Sequence, residues 1–141
     1  MQRIHYISTA RAILSPTELD ILLARARARN AAVGVTGLLV VGGRRFLQVL
    51  EGPEDAVSSI YNRIVEDRRH FAVVTLSAKT VDTRAFEQWS MGFERGGRTG
   101  DDRSLEDQVA DIIAPIEDAN LKAYFAGFAK THSAAPVTRA A

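Results

Sequence analysis

The chain has 141 residues, 18 basic against 17 acidic, with 46% hydrophobic and 25% charged content. That suits one globular domain with a real core and leaves no net field to draw nucleic acid or acidic lipid. The absence of cysteine excludes disulfides, thiolate metal sites and thiol chemistry; with no bilayer-length apolar run and no signal-peptide core in MQRIHYIS, a cytoplasmic protein is expected.

Residues 3–8 alternate as a strand, with Ile4, Tyr6 and Ser8 on one face and His5 and Ile7 on the other. Ser15-Pro16-Thr17-Glu18 starts a helix: Ser15 caps, Pro16 suits the first helical position, and Glu18 completes a capping box. Leu19, Leu22, Leu23 and Ala26 follow at helical spacing, and the helix is expected to fade near Asn30. The run GVTGLLVVGGRRFLQVLEG reads as a hairpin, with strands over 35–41 and 45–50 joined at Gly42-Gly43, where both central turn positions can take positive φ. Its first strand is apolar nearly throughout, so both faces should be covered. Its second alternates, which puts Gln48 on the face of Phe46 and Leu50. A buried amide left unpaired costs about 1–3 kcal/mol, so a polar partner is expected beside Gln48.

Gly52-Pro53-Glu54-Asp55 begins a second helix with Val57, Ile60, Tyr61 and Ile64 on its apolar face, ending near Asp67. Strands follow over 71–78 and 87–93. The order β-α-β-β-α-β-β is α+β, the ferredoxin-like βαββαβ pattern with an added fifth strand. Both helices should lie on one sheet face, and the groove between them is a natural ligand slot. Leu105, Val109, Ile112 and Ile113, then Leu121, Tyr124, Phe125 and Phe128 beyond a break at Pro115, form two C-terminal helical stripes. These either cover the bare sheet face or make a dimer surface. The expected division is a core over 1–94, a linker over 95–101, C-terminal helices over 102–130 and a disordered tail over 131–141.

Catalytic constellations are weak. Ser8, Ser15 and Ser90 lack a nucleophile-elbow context, three scattered histidines make neither triad nor metal site, and 96–100 lacks a G-K-[ST] ending. The arginines at 25, 27, 29, 44 and 45 read first as a solvated helix face and a charged hairpin tip. The polar content of inward positions is more informative. Tyr6 alone suits a core aromatic, and Asn30 alone suits a helix C-cap. With Gln48, all three can converge on one groove.

These residues resemble the BLUF domain, the bacterial sensor of blue light using FAD, in its short single-domain form. The likeness covers 3–93 through IHYIS, ARNAAVGVTGLLVVGGRRFLQVLEG, NRIVEDRRH and WSMGF, with the interval Tyr6–Asn30–Gln48 intact. It implies a non-covalent FAD whose ring slots between the two helices. Tyr6 would give an electron and proton to the excited flavin, and Gln48 would stand between them and rearrange. Asn30 would bond the ring edge, Arg63 and Asp67 would help hold the flavin, and Leu22 and Ile64 would sandwich the ring. Trp89 and Met91 would relay the signal, although plain core packing suits them equally. Arg29, where the family varies, would stack on the ring, reach its carbonyl or face solvent. FAD is the family default, with FMN the other flavin such a groove admits.

The resemblance thus implies a photoreceptor, not an enzyme, with no metal, signalling to an unidentified protein partner and self-associating as a homo-oligomer. The competing reading is a small ferredoxin-like enzyme or metabolite-binding domain using the same groove. The Ala-rich tail suits a natural end, with no attached cyclase or phosphodiesterase, or the boundary of a larger photoregulated enzyme.

Overall fold

The computed structural model describes residues 1–12, 14–86, 92–95, 105–114 and 116–133. The elements are β1 (Gln2–Ala10), α1 (Pro16–Ala32), β2 (Thr36–Gly42), β3 (Arg45–Gly52), α2 (Glu54–Glu66), β4 (His70–Thr80), β5 (Gly92–Arg95), α3 (Leu105–Ile113) and α4 (Ala119–Ser133). Trp89 and Met91, the first part of the expected fifth strand, and most of the expected linker and tail lie outside the described residues. The α4 helix runs past the boundary expected at 130.

The sheet order is β4-β1-β3-β2-β5, antiparallel except for the parallel pair β2–β5. This is the ferredoxin-like arrangement with a strand added beside β2. The α1 start is the capping box read from the sequence: Ser15 Oγ accepts from Glu18 N and Glu18 Oε1 accepts from Ser15 N, both at 3.1 Å. The hairpin turn differs from expectation. Gly42 pairs with Arg45, so the central residues are Gly43 and Arg44, and of the two only Gly43 has positive φ, at 60°. Glycine at the first central position alone is what a type II′ turn requires. Arg44 is not a free tip either, since its Nε and Nη2 donate to the carbonyls of Ala10 and Arg11 at 2.9 and 3.0 Å.

Both faces of β2 are covered, as its apolar run implies. Leu39 and Val41 pack with Ile4, Leu50, Leu23, Val57 and Ile60 under α1 and α2. Leu38 and Val40 pack with Leu47, Val49, Ile113, Leu121 and Phe125 under α3 and α4. The C-terminal helices therefore cover the second sheet face. Gly37 lies where β2 runs against β3, and an added Cβ would stand 2.0 Å from the Val49 carbonyl oxygen.

The second face carries a buried ionic network. Glu51 is fully buried and accepts from Arg3 Nε at 2.8 Å and from the backbone N–H groups of Ala85 and Phe86 at 2.9 Å. Arg3 Nη1 reaches Asp118 at 3.1 Å, and Lys79 Nζ reaches the same oxygen at 2.6 Å. The network ties β1 and β3 to the segment after β4 and to the start of α4. Beside it, His5 is buried with its ring stacked 5.7 Å from Phe125 and edge-on 4.8 Å from Tyr124. Burial, reinforced by nearby Arg3, lowers the His5 pKa to about 4.

Glu51→Ala should lower stability by about 3–5 kcal/mol in urea unfolding, because Arg3 keeps its burial and loses its first partner. The unfolded His5 ring binds a proton near pH 6.5 and the folded ring only near 4. Its contribution is therefore complete above 6.5 and lost as pH falls toward 4, with a slope of up to about 1.4 kcal/mol per pH unit. His5→Phe should flatten that part of a stability–pH curve.

Candidate functional site

The α1–α2 face holds a cavity of about 240 Å³. Its floor is built from the central strands: Tyr6 of β1, Leu39 of β2, and Phe46 and Gln48 of β3. One wall is α1, with Leu22, Ala26 and Arg29 among its lining side chains, and the other is Ile64, Asp67, Arg69 and His70 at the α2–β4 corner. Leu22 and Ile64 give the groove apolar walls, and Tyr6 and Gln48 give it a polar floor. A flat, fused heteroaromatic ring needs that mixture.

Tyr6 and Gln48 are register partners across β1–β3. Both are buried, and Tyr6 Oη donates to Gln48 Oε1. The polar partner expected beside Gln48 is therefore the Tyr6 hydroxyl. Burial pushes the Tyr6 phenol well above the ordinary tyrosine range, and Tyr61 and Asp67 push it the same way. The phenol is neutral at any physiological pH, so its proton remains available to the hydrogen bond.

The remaining sequence candidates fall around this floor at different depths. Asn30 is buried at the end of α1, where its carbonyl accepts from Val35 N at 2.9 Å, and it does not line the cavity. Arg63 is exposed on α2 and does not line it either. Asp67 lines it, but its carboxylate is engaged by Arg69, whose Nη2 donates at 2.5 Å; those bonds hold the Asp67 pKa down at about 2. Arg29 is half-buried on the rim.

His70 also lines the cavity, and it is not among the site residues expected from the sequence. Its Nε2 lies 2.5 Å from the Ile64 carbonyl, which can only accept, so that nitrogen carries hydrogen. In the neutral ring Nδ1 then accepts from Ser8 Oγ at 3.0 Å. The ring thereby locks the end of α2 to β1 on the cavity wall. Its only sequence signal was Ser8 on the inward face of the first strand. Among the described residues no group of His, Asp and Glu side chains could hold a metal ion, and no helix is long and apolar enough to cross a membrane.

Residues 1–92 match the family model BLUF, sensors of blue-light using FAD. The chain belongs to the BLUF family. Over 87 residues, 61% of this chain and 10% of the relative, it is 37% identical to photoactivated adenylate cyclase subunit beta of Euglena longa. Over 74 residues, 52% of this chain and 18% of the relative, it is 36% identical to the blue light- and temperature-regulated antirepressor BluF of Escherichia coli (strain K12). Klebsiella pneumoniae BlrP1 with FMN and cyclic diGMP superposes at a TM-score of 0.72 and 30% identity, covering 89% of this chain and 34% of that one. BlrB, a BLUF protein in its dark state, superposes at 0.68 and 22% identity over 92% and 96% of the two chains, a likeness of fold.

The chain spans a tenth of the cyclase's length, so the cyclase name describes a much longer protein. The BLUF unit is a flavin-binding blue-light sensor, not itself an enzyme.

Tyr6→Phe removes the hydroxyl that donates to Gln48 Oε1 inside the core. It should cost about 1–3 kcal/mol in chemical unfolding of the ligand-free chain. A double-mutant cycle with Gln48→Leu should recover part of that loss.

Proposed function

We propose that this chain is a blue-light photoreceptor that holds FAD non-covalently in the α1–α2 groove, with Tyr6 and Gln48 as its photoactive pair. The observation that carries the reading is the buried Tyr6–Gln48 hydrogen bond on the floor of a cavity with apolar walls. When bound, the flavin supplies the blue-light absorption and an excited state able to accept an electron.

The remaining chemistry belongs to the chain's own residues. The Tyr6 phenol is held neutral, so an electron leaving it would take its proton along the bond to Gln48. Gln48 carries both an acceptor and a donor on one terminal amide, and turning that amide exchanges what it offers Tyr6 and the groove. Such an exchange is worth about 1–3 kcal/mol, enough to bias a two-state element. Leu22 and Ile64 exclude water from the ring faces. The family resemblance assigns Asn30 to the ring edge and Arg63 and Asp67 to holding the flavin from the second helix; of these three, Asp67 lines the groove of the ligand-free chain. Trp89 and Met91 relay the change.

Output runs from the core, 1–94, to the C-terminal helices, 102–130. Leu121 and Phe125 of α4 pack on the far side of the strands that floor the groove, which favours this route. The recipient is a signalling protein, and the chain works as a cytoplasmic homo-oligomer.

Purified protein should be yellow. Its flavin absorption should shift slightly to the red directly after blue light and relax in darkness. Tyr6→Phe and Gln48→Ala should each abolish the shift and keep the colour. A colourless protein that takes up no flavin on reconstitution would return the groove to another metabolite. Bound flavin without a shift would mean a flavin-binding fold with a dead switch.

A further inference from the structure

At about 240 Å³ the groove is smaller than the ~300–1,000 Å³ of sites that enclose a whole drug-sized ligand. It has room for a fused ring system, and the rest of a flavin nucleotide must leave past the rim. That rim is cationic. Arg25 and Arg29 stand one helical turn apart on α1 and both line the opening, and Arg69 lines it from across the groove. Arg63 and Arg69 lie near enough to Arg29 to repel its charge, and the acid facing the same point is Asp67.

Asp67 is already committed, since Arg69 Nε and Nη2 hold its carboxylate at 3.0 and 2.5 Å. Among the described residues no carboxylate forms an ion pair with Arg25, Arg29 or Arg63. Arg29 Nε is also buried and has no hydrogen-bond partner among them. A guanidinium donor withdrawn from water without an acceptor is costly, and like charges around one opening add to that cost. An oxyanion on the rim relieves both. Arginine suits it because its fork of donors matches a phosphate.

We propose that Arg29, flanked by Arg25 and Arg69, forms a phosphate-binding collar at the mouth of the groove, which grips the phosphate end of a flavin nucleotide and selects FMN and FAD over riboflavin. The proposal rests on the flavin reading above and gives the tail, not only the ring, a place on the protein.

The test titrates the flavin-free full chain with riboflavin, FMN and FAD, read by quenching of flavin fluorescence at low and high salt. FMN and FAD should bind at least about tenfold more tightly than riboflavin, and the gap should narrow as salt screens the collar. Arg29→Gln should bring FMN close to riboflavin by weakening FMN far more than riboflavin, with Arg29→Lys intermediate. Inorganic pyrophosphate should compete with FMN and spare riboflavin, which separates recognition of the phosphate from recognition of the ring. If Arg29→Gln does not fold, Arg25→Gln provides the same comparison.

Equal binding of all three flavins by the native chain would overturn the collar and leave the flavin reading standing. So would an Arg29→Gln loss as large for riboflavin as for FMN, which would place Arg29 on the ring. Failure of every flavin to bind would overturn both.

Discussion

The antiparallel pairing of β1 with β3 sets Tyr6 opposite Gln48 and Arg3 opposite Glu51. Three positions separate the members of each strand, and alternation sends the two pairs to opposite faces of the sheet. One register thus makes two polar pairs of the interior: a neutral hydrogen bond under the α1–α2 groove and an ion pair under the C-terminal helices. A slip of β3 by one residue would turn Gln48 and Glu51 to the wrong faces and leave Tyr6 and Arg3 opposite apolar neighbours. The groove and the far-face packing are therefore two consequences of one alignment.

This has a mechanical corollary for a sensor. The sheet is one strand thick, and Tyr6 and His5 are consecutive residues with their side chains on its two sides. Tyr6 meets Gln48 on the floor of the groove, and His5 meets Phe125 and Tyr124 of α4. Glu51 anchors the far face to the same two strands, because its carboxylate gathers Arg3 and the backbone at Ala85 and Phe86. A displacement of β1 or β3 cannot be confined to one face without leaving buried charge or a buried amide unpaired, and both alternatives are expensive. The C-terminal helices are thus held by the same strands that carry the Tyr6–Gln48 bond.

The polar groups of the groove divide by depth. Its floor is neutral, made of a phenol and an amide whose donors and acceptors can be exchanged without moving charge into the core. The charge sits around it, on Arg25, Arg29 and the Asp67–Arg69 pair. A sensor reading a hydrogen-bond change gains from this separation, because fixed charge beside Tyr6 and Gln48 would favour one orientation of the amide regardless of light.

Much of this was legible in the sequence because it is local. Period-two alternation identified the face of Tyr6 and the face shared by Phe46, Gln48 and Leu50, and Ser15-Pro16-Thr17-Glu18 marked the start of α1. The unbroken apolar run of β2 implied cover on both sides. What tertiary structure alone decided is where distant segments meet. The alternation that puts Gln48 inward also puts Glu51 with Leu47 and Val49, yet nothing near Glu51 announces that Arg3 and the N–H groups of Ala85 and Phe86 converge on it. His70 as a brace between Ser8 and Ile64, and Arg69 facing Arg29 across the groove, likewise depend on how the α2–β4 corner closes. The hairpin turn moved by one residue because pairing of Gly42 with Arg45 outweighed the preference of two adjacent glycines. Periodicity reports which way a side chain points; which partners it finds there is set by chain paths that no short pattern encodes.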